Sequence, residues 1–117
     1  MTETALMREI LCSVSALKGA LFWRVNVGVS KSVDGRTIRY GLPGQADIAG
    51  CYRGRHVEIE VKTPKGRLSI HQERWKDAIQ RAGGVYVVAR RPDDALEALD
   101  ALDRVTGPER SPTCMGE

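Results

Sequence analysis

Two acids and a lysine define the chemistry open to this sequence. Asp47 stands thirteen positions before Glu60, and Lys62 follows two positions later, inside the run His56-Val57-Glu58-Ile59-Glu60-Val61-Lys62. With a strand's period of two, Glu58, Glu60 and Lys62 fall on one face and Val57, Ile59 and Val61 on the other. The short link Arg53-Gly54-Arg55 joins this run to Ile48-Ala49-Gly50-Cys51-Tyr52, which predicts a hairpin that carries Asp47 to the side of Glu60. Two carboxylates that close repel each other unless a cation lies between them. Oxygen donors with room for water suit a hard divalent ion such as Mg2+ or Mn2+. Lys62, roughly 6.6 Å along the strand from Glu60, is placed to orient a water or to stabilise negative charge growing beside such an ion. These are the parts of metal-assisted phosphodiester hydrolysis. The spacing alone fits a half-exposed hairpin with ordinary surface charges at least as well.

Further residues occur around this core in a fixed order. They are Gly44-Gln45-Ala46-Asp47, Glu58-Ile59-Glu60-Val61-Lys62-Thr63, Gly66-Arg67-Leu68-Ser69, Gln72, Trp75 and Gly83-Gly84-Val85-Tyr86-Val87-Val88. In this series the chain resembles the VRR-NUC domain, the virus-type replication-repair branch of the restriction-endonuclease-like nucleases with a PD-(D/E)xK site. The resemblance runs over about residues 3 to 90. It implies that Asp47, Glu60 and the backbone carbonyl of Val61 hold Mg2+ or Mn2+, and that Lys62 assists the attacking water. It also implies that Glu3, near the start of the first helix, completes the acidic cluster and serves a second metal. Gln72 would hold a site residue or a phosphate. Two positions depart from the family's pattern: Ala46 stands where Pro usually precedes the aspartate, and Met7 where Gln is frequent.

Composition sets wider bounds. A chain of 117 residues, 42% hydrophobic and 28% charged, fits one soluble domain with a single core. No apolar run approaches the roughly 20 residues of a membrane span, and the amino terminus lacks a signal peptide's basic lead, so the expected location is cytoplasmic with no membrane partner. Cys12, Cys51 and Cys114 are far apart and form no C-x-x-C pair. That argues against a disulfide framework or a zinc site, and two of them are expected as small core or sheet residues. The net charge is +3, unevenly placed: from Arg53 to Lys76 seven Lys or Arg face three acids, whereas Pro92 to Asp103 holds five acids and no base. Basic charge is thus expected to gather around the site, as a polyanion surface needs.

The elements that must position these residues follow from periodicity. Residues 3 to 18 predict a helix with Leu6, Ile10, Val14 and Leu17 on one stripe. Glu3 falls on that stripe, and a capping role at the helix start stands beside its metal role. Ala20 to Val27 predicts a strand, in which Phe22 and Trp23 cannot face the same side, so one ring is core and the other meets an edge or a partner. Residues 28 to 41 read as a mobile or hairpin-like loop whose Arg36 and Arg39 can touch phosphates. Ser69 to Arg81 predicts a helix with Gln72, Trp75, Ala78, Ile79 and Ala82 inward. Its Ser69-Ile70-His71-Gln72 start fits a capping box, an alternative use for Gln72. Val85 to Ala89 predicts a buried central strand, parallel to the Glu60 strand by a right-handed crossover. Pro92 opens a third helix with Ala95, Leu96 and Leu99 on the sheet.

The expectation is therefore an α/β, restriction-endonuclease-like domain over residues 1–104, with a central mixed sheet of about four strands, and a disordered tail over 105–117. By the resemblance it is a divalent-metal-dependent DNA endonuclease of replication or repair. It would be selective for branched, Holliday-type DNA and work as a homodimer, as stand-alone members of that family do. Lys65, Arg67, His71 and Arg74 join Arg36 and Arg39 as expected nucleic-acid contacts. A non-catalytic nucleic-acid-binding or assembly module of the same fold, and a nuclease acting on RNA, stay open.

Overall fold

The structure is a computed structural model and describes residues 2–26 and 28–106, the side chains of Tyr40, Val105 and Thr106 excepted. The elements run α1 (Glu3–Ser15), β1 (Ala20–Arg24), β2 (Gly28–Lys31), β3 (Thr37–Tyr40), β4 (Ile48–Tyr52), β5 (Arg55–Val61), α2 (Ile70–Arg81), β6 (Val85–Ala89) and α3 (Pro92–Thr106). Four strands form a mixed sheet in the order β1-β4-β5-β6. The first two pairings are antiparallel and β5 with β6 is parallel, as the α2 crossover requires. Of the two forms expected for residues 28 to 41, a mobile or a hairpin-like loop, the structure has the hairpin, a β2–β3 ribbon outside that sheet.

The turn between β4 and β5 fixes the register that matters. Arg53 and Gly54 both have positive φ, 51° and 84°, the signature of a two-residue type I′ turn whose twist matches the strands. Ile48 then lies opposite Ile59, which carries Asp47 alongside Glu60 one step further on. On one face of the sheet Phe22, Ile48, Val57, Ile59, Val61 and Val87 pack against Leu6, Ile10 and Val14 of α1 and Ala95 and Leu99 of α3. Ile48, Ile59, Ile10 and Leu99 are fully buried, each side chain contributing about 1.5–3 kcal/mol. Tyr52 ties α3 to the same hairpin by donating its hydroxyl to Asp103 at 2.7 Å. Asp94 fastens the start of α3 by accepting from the Arg90 and Arg91 N–H groups at 2.8 and 3.1 Å, and the first of these bonds holds its carboxyl below the ordinary carboxylate range.

Several expectations need correction. The first helix ends at Ser15 rather than 18, because Gly19 turns left-handed (φ 82°) into β1. The first strand stops at Arg24. β6 is an edge strand, not a central one: its uncharged sequence reports burial by helices on its two faces, not a neighbour on each side. Ala78 and Ala82 are exposed and no residue of α2 is fully buried, because that helix rests on the sheet along the narrower stripe Gln72, Trp75, Lys76 and Ile79. Cys51 lies in the sheet but is exposed, as is Cys12 on α1. α3 extends two residues past the expected boundary at 104, and the remainder of the expected tail, Cys114 included, lies outside the described residues. Among the described residues no helix is long and apolar enough to cross a membrane.

Candidate active site

Asp47 is placed by the turn Leu42-Pro43-Gly44-Gln45, closed by the Gln45 N–H on the Leu42 carbonyl at 3.1 Å. Pro at the second position and a left-handed Gly44 (φ 84°) at the third are what a type II turn selects. The chain then enters β4, and Asp47 is fastened at both ends: its carbonyl accepts from Val25 at 2.8 Å and its Oδ2 from the Val61 N–H at 2.9 Å. Burial raises its carboxyl above the ordinary range and the charge of Glu3 adds to this, against the Val61 bond, Lys62 and Arg24. A pocket of about 170 Å³ opens here, lined by Glu3, Arg24, Asn26, Gln45, Asp47 and Val61 among others.

Glu58 and Glu60 are 2% and 3% exposed, so the acid face of β5 is interior and the reading of a half-exposed hairpin is overturned. Glu60 Oε2 accepts from Gln72 Nε2 at 2.9 Å and meets Lys62 Nζ at 3.5 Å. Its Oε1 is buried without a hydrogen-bond partner. Burial, then the neighbouring Asp47, push this carboxyl up to about 7, with Lys62 pulling the other way. Near neutrality Glu60 is thus divided between its charged and protonated forms, with one oxygen lacking a donor. All the donors at hand are oxygens, two of them carboxylates that disfavour each other's charge, and this set fits a hard divalent cation. It is not a closed cage: among the described residues no three His, Cys, Asp or Glu side chains converge on a metal position. Nor does Glu60 line the pocket beside Asp47, because its carboxylate is folded under Gln72 and Lys62.

Gln72 satisfies both roles expected of it at once. Its Oε1 accepts from the Ser69 N–H at 2.9 Å, and the Ser69 hydroxyl accepts from its N–H at 3.2 Å, which completes the capping box. That leaves its Nε2 free for Glu60. Thr2 is the N-cap of α1, accepting from the Ala5 N–H at 3.0 Å, and Glu3, exposed at the pocket, stands in the first turn, where its charge suits the positive end of the helix.

Glu58 is a site member that reading by motif missed. Its Oε1 accepts from Trp75 Nε1 at 2.6 Å and from the Ala46 N–H at 3.4 Å, and its Oε2 lies 2.8 Å from His56 Nε2. It therefore ties α2, β5 and the turn segment leading to Asp47 together. Ala46 can donate where a proline cannot, which gives the departure at that position a structural consequence. The alternation of β5 already placed Glu58 beside Glu60. Arg90 is the second omission: its guanidinium donates to the carbonyls of Thr63 at 2.7 Å and Gly66 at 2.8 Å. This clamps the turn that folds back on Lys62, where Gly66 lies against the lysine stem. The parallel register, with the Lys62 N–H on the Ala89 carbonyl at 3.0 Å, was the available signal.

The basic residues divide. Lys65 and Arg67 are exposed just beyond β5, and His71 and Arg74 are exposed on the first turns of α2. Arg36 and Arg39 are on the ribbon. Arg53 and Arg55 sit at the other end of β5, about 20 Å from Lys62 along the strand, where Arg53 pairs with Asp103 at 3.3 Å and Arg55 donates to the Gly83 carbonyl at 3.3 Å. These two do not belong to a basic surface at the site, and the expectation that they do is corrected. Compared with known proteins, the sequence matches no family model and no curated protein.

Proposed function

We propose that this chain is a divalent-metal-dependent phosphodiesterase, an endonuclease acting on DNA with the restriction-endonuclease-like, VRR-NUC plan. The observation that carries the reading is Glu60: a buried carboxyl with one unpartnered oxygen, set beside the half-buried acid Asp47 and a lysine. Such an arrangement is costly to fold unless a cation completes it. Asp47, Glu60 and the Val61 carbonyl would hold Mg2+ or Mn2+, with Glu3 facing the same pocket for a second ion. When bound, the ion supplies Lewis-acid polarisation of the phosphodiester and activation of the attacking water. Lys62, only 17% exposed, presents its charge to the phosphate from within a partly dehydrated surface, where that charge acts more strongly than in water. Gln72 fixes the Glu60 carboxylate, and Val61 fixes that of Asp47.

One observation favours the rival, a nucleic-acid-binding module without chemistry: Glu60 does not line the pocket that holds Asp47. Incubating the purified protein with branched, nicked, single-stranded and plain duplex DNA, and with duplex RNA, in Mg2+, Mn2+ or EDTA decides between them. Metal-dependent cutting of DNA, strongest on junctions, is the expected result. Retained binding with no cutting of any substrate in either metal would establish the rival, and cutting of RNA alone would change the substrate.

On this reading Arg90 is a positioning residue for Lys62. Arg90→Ala is expected to lower kcat about ten- to a hundredfold by loosening that lysine while KM stays within about twofold, with Arg90→Lys recovering only part. An equal effect on kcat and KM, or none, shows the clamp to be structural.

The working form is proposed to be a homodimer. Phe22 is buried against α1, whereas Trp23 and Leu21 on the opposite face are 47% and 66% exposed along the edge strand β1, where α1 does not shield them. A two-fold axis supplies the two sites that paired cutting of a junction needs, and Trp is favoured as an interface anchor. Sedimentation at micromolar concentration should give twice the chain mass, reverting to the monomer on Trp23→Ser; a monomeric wild type ends the proposal.

A further inference from the structure

The β2–β3 ribbon pairs with no strand of the main sheet, yet both of its ends come from the rim of the pocket. Asn26, two residues before β2, lines the pocket, as does Gln45, five residues after β3, and the Val25 bond to Asp47 pins the first of these legs. A nucleic acid with one phosphate in the pocket therefore passes beside the ribbon. Its four-residue strands reach about 14 Å, and its two strands lie about 4.8 Å apart.

The pairing Val29 with Arg39 and Lys31 with Thr37 puts Lys31 and Arg39 on one face as diagonal neighbours, about 7–8 Å apart. Neither has an ion pair among the described residues, whereas Arg36 is engaged by Asp34 at 3.5 Å. Residues 28–41 carry three bases and one acid. Two copies of such a ribbon repel each other. The exposed apolar residues Val29 and Ile38 fall on opposite faces by the same register, and Val33, at the turn, meets Ile38 only among Ser32, Asp34, Arg36 and Thr37, so the three make no continuous apolar patch of the kind a protein partner would bury. A narrow, basic, two-stranded element matches the major groove of B-form DNA, about 12 Å wide and about 8.5 Å deep, which admits a β-ribbon. The A-form groove of duplex RNA is too narrow and deep for side chains to read.

We infer that the β2–β3 ribbon is a groove-binding arm that lies in the major groove of B-form duplex DNA flanking the phosphodiester held in the pocket, with Lys31 and Arg39 on the phosphates. This rests on the reading of the site as a nuclease acting on DNA. The test is anisotropy of labelled 20-base-pair DNA and RNA duplexes in EDTA, over a salt series, for the wild type and for Lys31→Ala/Arg39→Ala. The wild type should prefer the DNA duplex. The double variant should bind DNA at least about tenfold more weakly, with the slope of log affinity against log salt reduced by nearly two, about 0.9 per lost phosphate contact, and the preference for DNA lost. Circular dichroism and sedimentation identical to the wild type confirm that the fold and assembly are unchanged. An unchanged slope, equal affinity of the wild type for the two duplexes, or a variant whose only change is its oligomeric state each overturns the inference. No cleavage is involved, so a protein that binds through the ribbon and never cuts loses only the nuclease reading. One that cuts DNA with the ribbon silent loses only this inference.

Discussion

Asp47→Asn, Glu60→Gln and Lys62→Ala are each expected to reduce phosphodiester cleavage by more than about a hundredfold, since each removes one charge at the reacting phosphate and a single lost stabiliser costs about 10²–10³ in rate. The three should differ in every other respect. Asparagine at 47 still has an oxygen for the Val61 N–H, so the backbone is kept and only the charge is lost. Its removal relieves Glu60, whose carboxyl should fall from about 7 towards the ordinary range. Glutamine at 60 keeps the Gln72 bond and leaves Lys62 without its counter-charge. Both acid changes should weaken Mg2+ and Mn2+ binding by calorimetry, and Lys62→Ala should not. The metal-free proteins also separate by pH. Glu60 is raised from 4.5 to about 7 on folding, so the folded state binds the proton more tightly than the unfolded one. Stability is then fullest below about 4.5 and declines as pH rises through about 7. Glu60→Gln has no such decline, and at pH 8 without metal it should be more stable than the wild type by on the order of 1–3 kcal/mol, the two converging near pH 4.5. Wild-type-like cleavage by Asp47→Asn would sink the mechanism, and parallel stability curves for Glu60→Gln and wild type would show that Glu60 carries no folding cost.

How much of this was legible in the sequence depended on range. The β4–β5 hairpin followed from the short link Arg53-Gly54-Arg55, of which the structure leaves only Arg53 and Gly54 in the turn, and the parallel β5–β6 pair from a crossover helix, since both are consequences of local chain geometry. The opposition of Asp47 and Glu60 came with them. What the alternation of β5 did not disclose was whether its acid face meets water or protein. That depends on α2, which begins nine residues later and lies over Glu58 and Glu60 through Trp75 and Gln72. The same long-range contact made two readings of Gln72 look exclusive, whereas an amide has an acceptor and a donor end and uses one for each. The composition of β6 does not tell an edge strand from a central one, because it records what covers a strand's faces and says nothing of its edges. Arg53 and Arg55 are near the site in sequence, but an extended strand carries seven residues about 20 Å away. The ribbon's polar residues on both faces leave it no period to detect, so the sequence does not separate a hairpin there from a mobile loop.

The contact between the Asp47 turn and α2 leads to the second large effect, expected for Gly44→Ala. A Cβ at Gly44 would overlap the carbonyl oxygen of His71, lie 2.6 Å from that carbonyl carbon and lie 3.1 Å from the nitrogen of Gln72, all of it backbone at the start of α2. No side chain is available to swing aside, so either the turn or the helix must move. The left-handed φ of 84° adds about 1–2 kcal/mol for any residue with a Cβ, and the overlap about 1–3 more. The total of roughly 2–5 kcal/mol corresponds to a fall in Tm on the order of 10 °C or more for a domain of this size. Gly54→Ala is the matched control. Its φ is also 84°, but nothing lies within 4 Å of its Cβ, so it should lose only the backbone share. The two should also part in function, because relieving the clash displaces Asp47, three residues on, or Gln72, the residue that holds Glu60. Below its melting range Gly44→Ala should therefore bind Mg2+ more weakly than Gly54→Ala and cleave more slowly. Equal melting temperatures for the two variants would mean that the close approach of turn and helix does not hold the acids in place.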